Sequence, residues 1–154
     1  MELDTFKAAM ARFVSGVAVI TTRECEGAPA GFTANSFSSL SLDPPLVLFC
    51  LDREAHCFDA FYGATHFGVN ILAAGQKDVS NRFSQRSGDK FKDVELMGGA
   101  TDIPLIGGSL VNLECRTTEK LPGGDHLIFI GEVERVHLGE GVPLLYYMGK
   151  YHSI

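Results

Sequence analysis

A chain of 154 residues is one domain by length, long enough to bury about two-thirds of its unfolded surface without a metal or disulfide staple. With 45% hydrophobic and 21% charged residues and a formal charge of −6, it is globular and rather apolar, and its scattered Lys and Arg exclude the basic face that nucleic acid requires. The apolar excess points to an oligomer.

Leu3, Phe6, Met10, Phe13 and Val14 recur at helical spacing behind Asp4 or Thr5 as cap, which predicts an opening amphipathic helix stopped by Gly16. From Val17 to Thr22 the chain is β-branched and short, as a buried strand should be. A turn at Glu26-Gly27-Ala28-Pro29 returns it for a second strand. Residues 31–48, GFTANSFSSLSLDPPLVL, then crowd small hydroxyl side chains against an apolar run. Such groups let backbone approach a flat polar ligand, and buried polar groups need partners. A Ser/Thr-rich turn feeding a strand explains the same composition equally well.

Leu46 to Leu51 reads as a central strand closed by Asp52-Arg53-Glu54, and Phe58 to Tyr62 as one or two helical turns. Phe67 to Leu72 resumes strand character with Asn70 inside it, and Gln76 to Phe83 has helical composition. Residues 84–108, rich in Gly and charge, read as a long surface loop. Two long alternating segments, Ser109 to Leu121 and Leu127 to Leu138, are joined by the hairpin signal Pro122-Gly123-Gly124-Asp125, and Leu144 to Tyr147 closes the sheet. Short strands and hairpin turns predict an antiparallel barrel with peripheral helices rather than a doubly wound sheet. No GxGxxG follows a strand, so no nucleotide is expected to be held in the Rossmann manner.

Cys25, Cys50, Cys57 and Cys115 form no CxxC pair and no zinc-ribbon spacing, and the first residues do not read as a signal peptide, so free thiols in a cytoplasmic protein are expected. Cys50, Asp52, His56 and Cys57 bring metal-binding types close in sequence, but Cys50 falls in the strand-like run as a small apolar group, and no metal is expected. No apolar run approaches the roughly 18 residues of a membrane span.

Four segments in order, GFTANSFSSLSLDPPLVLFCLD, FGVNIL, GDHLIFIGEV and PLLYYMGKYHSI, resemble the flavin reductase family of short NAD(P)H:flavin oxidoreductases, which includes the small components of two-component flavin monooxygenases. The resemblance runs over nearly the whole chain. It implies one flavin reductase-like domain over residues 1–154, mainly β with peripheral α, folded as a split β-barrel, a Greek-key antiparallel barrel of the FMN-binding type. It further implies a homodimer binding FAD or FMN near the subunit interface, NADH or NADPH as cosubstrate, and a flavin-dependent oxygenase as partner.

Carried over residue by residue, the resemblance places Thr33, Ala34, Asn35 and Ser36 along the flavin ring and Ser38 and Ser39 at the ribityl chain and first phosphate. Asp52 and Arg53 fall in the next matching loop, where a guanidinium suits oxyanions. Ser80, Phe83 and Arg86 flank the phosphate or adenine side, although Phe83 also reads as a core contact of an amphipathic helix. Asn70 suits the cofactor or, equally, a neighbouring strand or loop. His126 orients the nicotinamide carboxamide or shields the hydride path, with Asp125 holding its ring, and Tyr151 covers the ligands. Tyr147 and Met148 stand where many relatives carry His or Arg, so the tail does not specify the pyridine nucleotide. Hydride transfer between stacked rings needs positioning more than acid–base groups, consistent with the lack of a triad or paired carboxylates.

Overall fold

Apolar and β-branched runs turn nearly half of the chain into strands, and the computed structural model describes all residues, 1–154. Helix α1 (Leu3–Met10) precedes strands β1 (Ser15–Gly16), β2 (Ala18–Arg23), β3 (Pro29–Ala34), β4 (Ser38–Leu42) and β5 (Pro45–Asp52). Helix α2 (Phe58–Gly63), strand β6 (His66–Ile71), a 3₁₀ turn at Ala74–Gln76 and helix α3 (Lys77–Phe83) lead to β7 (Leu96–Met97) and β8 (Leu105–Ile106). Two hairpins follow, β9 (Val111–Gly123) with β10 (His126–Leu138), and β11 (Leu144–Tyr147) with β12 (Lys150–Ser153). No helix is long and apolar enough to cross a membrane.

Seven strands form one antiparallel sheet in the order β3-β2-β6-β9-β10-β5-β4, so its two edges are strands separated only by Asn35, Ser36 and Phe37. One nearly continuous extended run therefore serves both edges and curls the sheet into a split barrel. At the handover, Ser36 Oγ accepts a bond from Cys50 N (3.1 Å) and donates to Cys50 O (3.0 Å), continuing with a side chain the ladder in which Ser38 pairs with Leu48.

Inside the barrel, Phe49 and Phe129 sit directly opposite on β5 and β10 and stack at 4.9 Å, while Phe61 and Phe67 meet Phe49 edge-on at 5.6 and 5.0 Å. Each of these buried rings contributes about 2–3 kcal/mol through area removed from water. Gly131 makes room for them: a Cβ there would lie 2.4 Å from the Phe67 ring. A second core, Val17, Val19, Leu72, Phe83, Ile106 and Leu144, lies between β2, α3 and the C-terminal hairpin.

The expected surface loop at 84–108 is instead partly core. Leu105 and Ile106 are fully buried, and polar side chains from the barrel bind the segment along its length. Thr21 Oγ1 donates to Pro104 O (2.6 Å), Gln76 Nε2 to Gly107 O (2.9 Å), and Ile106 N to Asn70 Oδ1 (2.8 Å). Farther back, Glu114 is wholly buried and accepts bonds from Ala100 N, Thr101 N, Thr101 Oγ1 and His137 Nε2. Burial opposes its ionisation, yet the hydrogen bonds from Thr101, His137 and Ala100 prevail and hold the carboxyl down to about 2. Composition alone missed these anchors because their partners lie on distant strands.

The opening helix is also shorter than its apolar periodicity predicts, ending at Met10, and none of its residues is buried. Leu3, Phe6, Met10, Phe13 and Val14 all remain exposed, an apolar face without a partner inside the chain.

Candidate active site

Where β3 ends, the chain leaves the edge of the sheet and opens a cavity of about 370 Å³ between barrel, α3 and the C-terminal hairpin. Thr33, Ala34 and Asn35 form one wall, Ser80, Asn81 and Ser84 the facing one, and Tyr146, Gly149 and Tyr151 the cover, with Val17 beside them. A smaller depression of about 140 Å³ shares Val17 and Asn35 and adds Phe37 and Ile71. This combination offers a polar rim, two aromatic rings and small apolar groups, the surface that a flat heterocycle with one polar and one apolar edge requires.

The walls are tied by hydrogen bonds. Thr33 Oγ1 donates to Ser80 O at 2.6 Å, and Tyr151 OH donates to Asn81 Oδ1 at 3.0 Å. Because the phenol spends its one proton on Asn81, the 2.7 Å contact between Ser80 Oγ and Tyr151 OH has Ser80 as donor. Tyr151 is thereby fixed by both hydrogen-bonding functions, and Lys77 Nζ lies 5.7 Å from its ring centroid. The hairpin carrying it turns through Met148 and Gly149, both at positive φ (51° and 75°), and Met148 N anchors it to Ala11 O at 2.9 Å.

Of the residues singled out in the sequence, Thr33, Ala34, Asn35, Ser80 and Tyr151 meet at this cavity. A different group gathers at the far end of β5. Asp52 lies opposite His126 on β10, Asp52 Oδ1 accepts from Glu54 N (2.9 Å), and Arg53 N donates to Asp125 O (3.0 Å). His126 Nδ1 contacts Asp125 Oδ1 at 2.7 Å, and that bond and the imidazole's charge hold the exposed Asp125 carboxyl below its usual range. Ser38 and Ser39 are exposed on the edge strand β4, with Ser38 Oγ bonded to Ser39 O (2.9 Å), and Arg86 is exposed in the loop beyond α3. None of these borders the cavity. The Ser36 hydroxyl is committed to Cys50 instead of facing a ligand.

Two expectations are corrected. Asn70 has no exposed surface, and its amide is saturated: Nδ2 donates to Val19 O and Thr21 Oγ1, while Oδ1 accepts from Ile106 N and Asn112 Nδ2. It holds β2, β6, β8 and β9 together and has nothing left for a cofactor. Phe83 is likewise fully buried, packed edge-on against Phe91 at 4.8 Å, so it is a core ring and no stacking platform. Sequence reasoning in turn passed over Asn81 and Ser84. For Ser84 the signal was helical phase, one turn after Ser80, whereas Asn81 carried none.

A larger groove of about 940 Å³ lies at the opposite end of β2, between the β2–β3 hairpin, α2 and residues 101–103. Arg23, Asp102 and His66 among its lining residues are already paired. Arg23 binds Asp102 and Gly27 O, and His66 contacts Thr65 Oγ1 and Glu134. No group of His, Cys, Asp and Glu side chains is placed to hold a metal ion.

Against known proteins, a family model described as flavin reductase like domain matches residues 10–154. The chain is 39% identical over 153 residues to the reductase subunit of a flavin-dependent monooxygenase of Mycobacterium tuberculosis, covering 97% of this chain and 81% of that protein. It is 40% identical over 147 residues to an NADH-dependent FMN reductase of Agrobacterium fabrum, covering 96% and 83%. Among solved structures, an NADH:FAD oxidoreductase of Streptomyces globisporus in complex with NAD and FAD fragments superposes with a TM-score of 0.89 at 35% identity, covering 97% of this chain and 90% of the other. Other relatives are longer, the chain spanning 47% and 53% of two of them.

Proposed function

This chain belongs to the flavin reductase like domain family, and from that premise we propose that the cavity between β3, α3 and the C-terminal hairpin holds the flavin ring. The protein is an NAD(P)H:flavin oxidoreductase that supplies reduced flavin, FAD or FMN, to a partner monooxygenase. NADH is the proposed electron donor. The NADH-dependent FMN reductase and the NADH:FAD oxidoreductase to which the chain is similar support that choice.

The observation that carries the site is the hydrogen-bonded closure of one polar cavity by Thr33, Ser80, Asn81 and Tyr151. Thr33, Asn35 and Ser84 present small polar groups toward the pyrimidine edge of the ring, while Val17, Ala34 and Tyr146 supply the apolar side. When bound, the flavin accepts a hydride from reduced nicotinamide. The residues themselves bind and orient: the wall keeps the ring in plane, and backbone N–H groups near Asn35 favour the charge that collects on reduction. Ser38 and Ser39, which follow Asn35 by a few residues along the same run, are proposed to meet the ribityl chain and phosphate, with Arg53 near the phosphate. His126, oriented by Asp125, is proposed to serve the nicotinamide.

Purified protein is expected to oxidise NADH only when FAD or FMN is present. Flavin-independent oxidation, or absence of any flavin binding, overturns the assignment. The exposed apolar face of α1, together with Leu40 and Leu42 on β4, supports a homodimer.

A further inference from the structure

The facing walls of the cavity belong to β3 and to α3 with the residue after it, so the distance between these elements decides what fits. Thr33 and Ser80 tie them inside the cavity. A second tie lies behind it, on a residue that no motif picked out. Lys90 Nζ donates to Gly31 O at 3.1 Å and to Phe83 O at 3.2 Å. Gly31 is on β3 two residues before Thr33, and Phe83 is the last residue of α3, next to the cavity-lining Ser84.

The chemistry suits a clamp. A helix ends in carbonyls without intrahelical partners and with partial negative charge, and an ammonium there is doubly favoured. Contact between the two elements is close at this point: a Cβ on Gly31 would sit 3.0 Å from Phe83 Cε1, so the ring lies flush on the strand backbone. Phe91 meets Phe83 edge-on, and with its neighbour Lys90 closes the return loop 84–89 onto both elements. Burial lowers the Lys90 pKa, as expected of a half-buried cation whose role is to bind carbonyls.

We propose that Lys90 is a positioning residue for the flavin ring, holding β3 against the end of α3 at the width the ring occupies. The inference rests on the flavin reading of the cavity. Lys90 also borders a polar depression with Arg82 and Lys92, so a direct bond to a flavin phosphate is the competing role. Riboflavin, which has the ring and no phosphate, separates the two.

Riboflavin and FMN affinities are measured by flavin fluorescence for the intact wild-type chain, Lys90→Met and Lys90→Arg. Lys90→Met is expected to weaken both ligands about tenfold and by the same factor, while Lys90→Arg stays within about twofold of wild type. Loss for FMN alone makes Lys90 a phosphate ligand and overturns the proposal, as does unchanged affinity for both. Wild-type protein that binds neither of these ligands nor FAD refutes the flavin reading itself, a separate result. Gly31→Ala, whose Cβ would lie 2.9 Å from Ile20 O on β2 and 3.0 Å from the Phe83 ring and so disturbs the seating of β3 on α3, gives a second measurement should Lys90→Met not fold. It is expected to weaken riboflavin, and wild-type affinity there overturns the clamp.

Discussion

At the scale of single residues, the site is argued from hydroxyl groups whose protons have definite destinations. Tyr151→Phe removes the link between Ser80 and Asn81, leaves the buried Ser80 hydroxyl and the exposed Asn81 amide oxygen short of a partner, and is expected to weaken flavin binding by about tenfold with little change in kcat at saturating flavin. Equilibrium titration of flavin fluorescence checks it. Replacing Ser38 and Ser39 together by Ala is expected to weaken flavin retention, whereas His126→Ala should raise KM for NADH more than Kd for flavin; steady-state kinetics with each substrate varied in turn distinguishes the two. Thr33, Ala34 and Asn35 were legible as a group because they are contiguous, while Asn81 and Ser84 were hidden among ordinary helix-surface residues. Asn70 left two readings open for a physical reason: a polar residue within an apolar strand pattern signals a buried partner, and sequence does not say whether that partner is ligand or, as the structure has it, neighbouring strands.

At the scale of elements, the turns and anchors decide how well the walls hold. Met148 occupies a left-handed position in the two-residue turn between β11 and β12, where Asn is far better tolerated, so Met148→Asn is expected to stabilise the protein by about 0.5–1 kcal/mol in urea denaturation. Glu114 acts on the segment leading into β8. Its folded pKa of about 2 lies below the ordinary 4.5, so its contribution is complete above pH about 4.5 and is lost as pH falls toward 2. Glu114→Gln should therefore cost about 2–3 kcal/mol at neutral pH, and the gap to wild type should shrink across that acid range. A constant gap from neutral pH down to about 2 contradicts the ionised buried carboxylate. The strands of the large sheet were readable from alternation and β-branching, but the segment 84–108 was not, since its anchors Thr21, Asn70, Gln76 and Glu114 are scattered over four other parts of the chain.

At the scale of the whole molecule, the barrel leaves Phe6 and Met10 of α1, and Phe13 and Val14 just after it, in solvent, an arrangement that costs free energy unless another surface covers it. A dimer is the expected mass by light scattering, and Phe6→Ser with Phe13→Ser is expected to shift it toward monomer. By itself the sequence determined the antiparallel barrel, the hairpin signalled by Pro122-Gly123-Gly124-Asp125 and, through four ordered segments, the family. Those are properties of local periodicity, turn chemistry and residue order, which survive being read in one dimension. Only the tertiary structure decided that β3 and β4 are opposite edges of one curled sheet, that Asn70 and Phe83 face inward, and that Ser80, Tyr151 and Thr33 enclose a common space. Each of these depends on which distant backbone groups and rings meet once the sheet closes, a matter of geometry between elements that spacing along the chain does not encode.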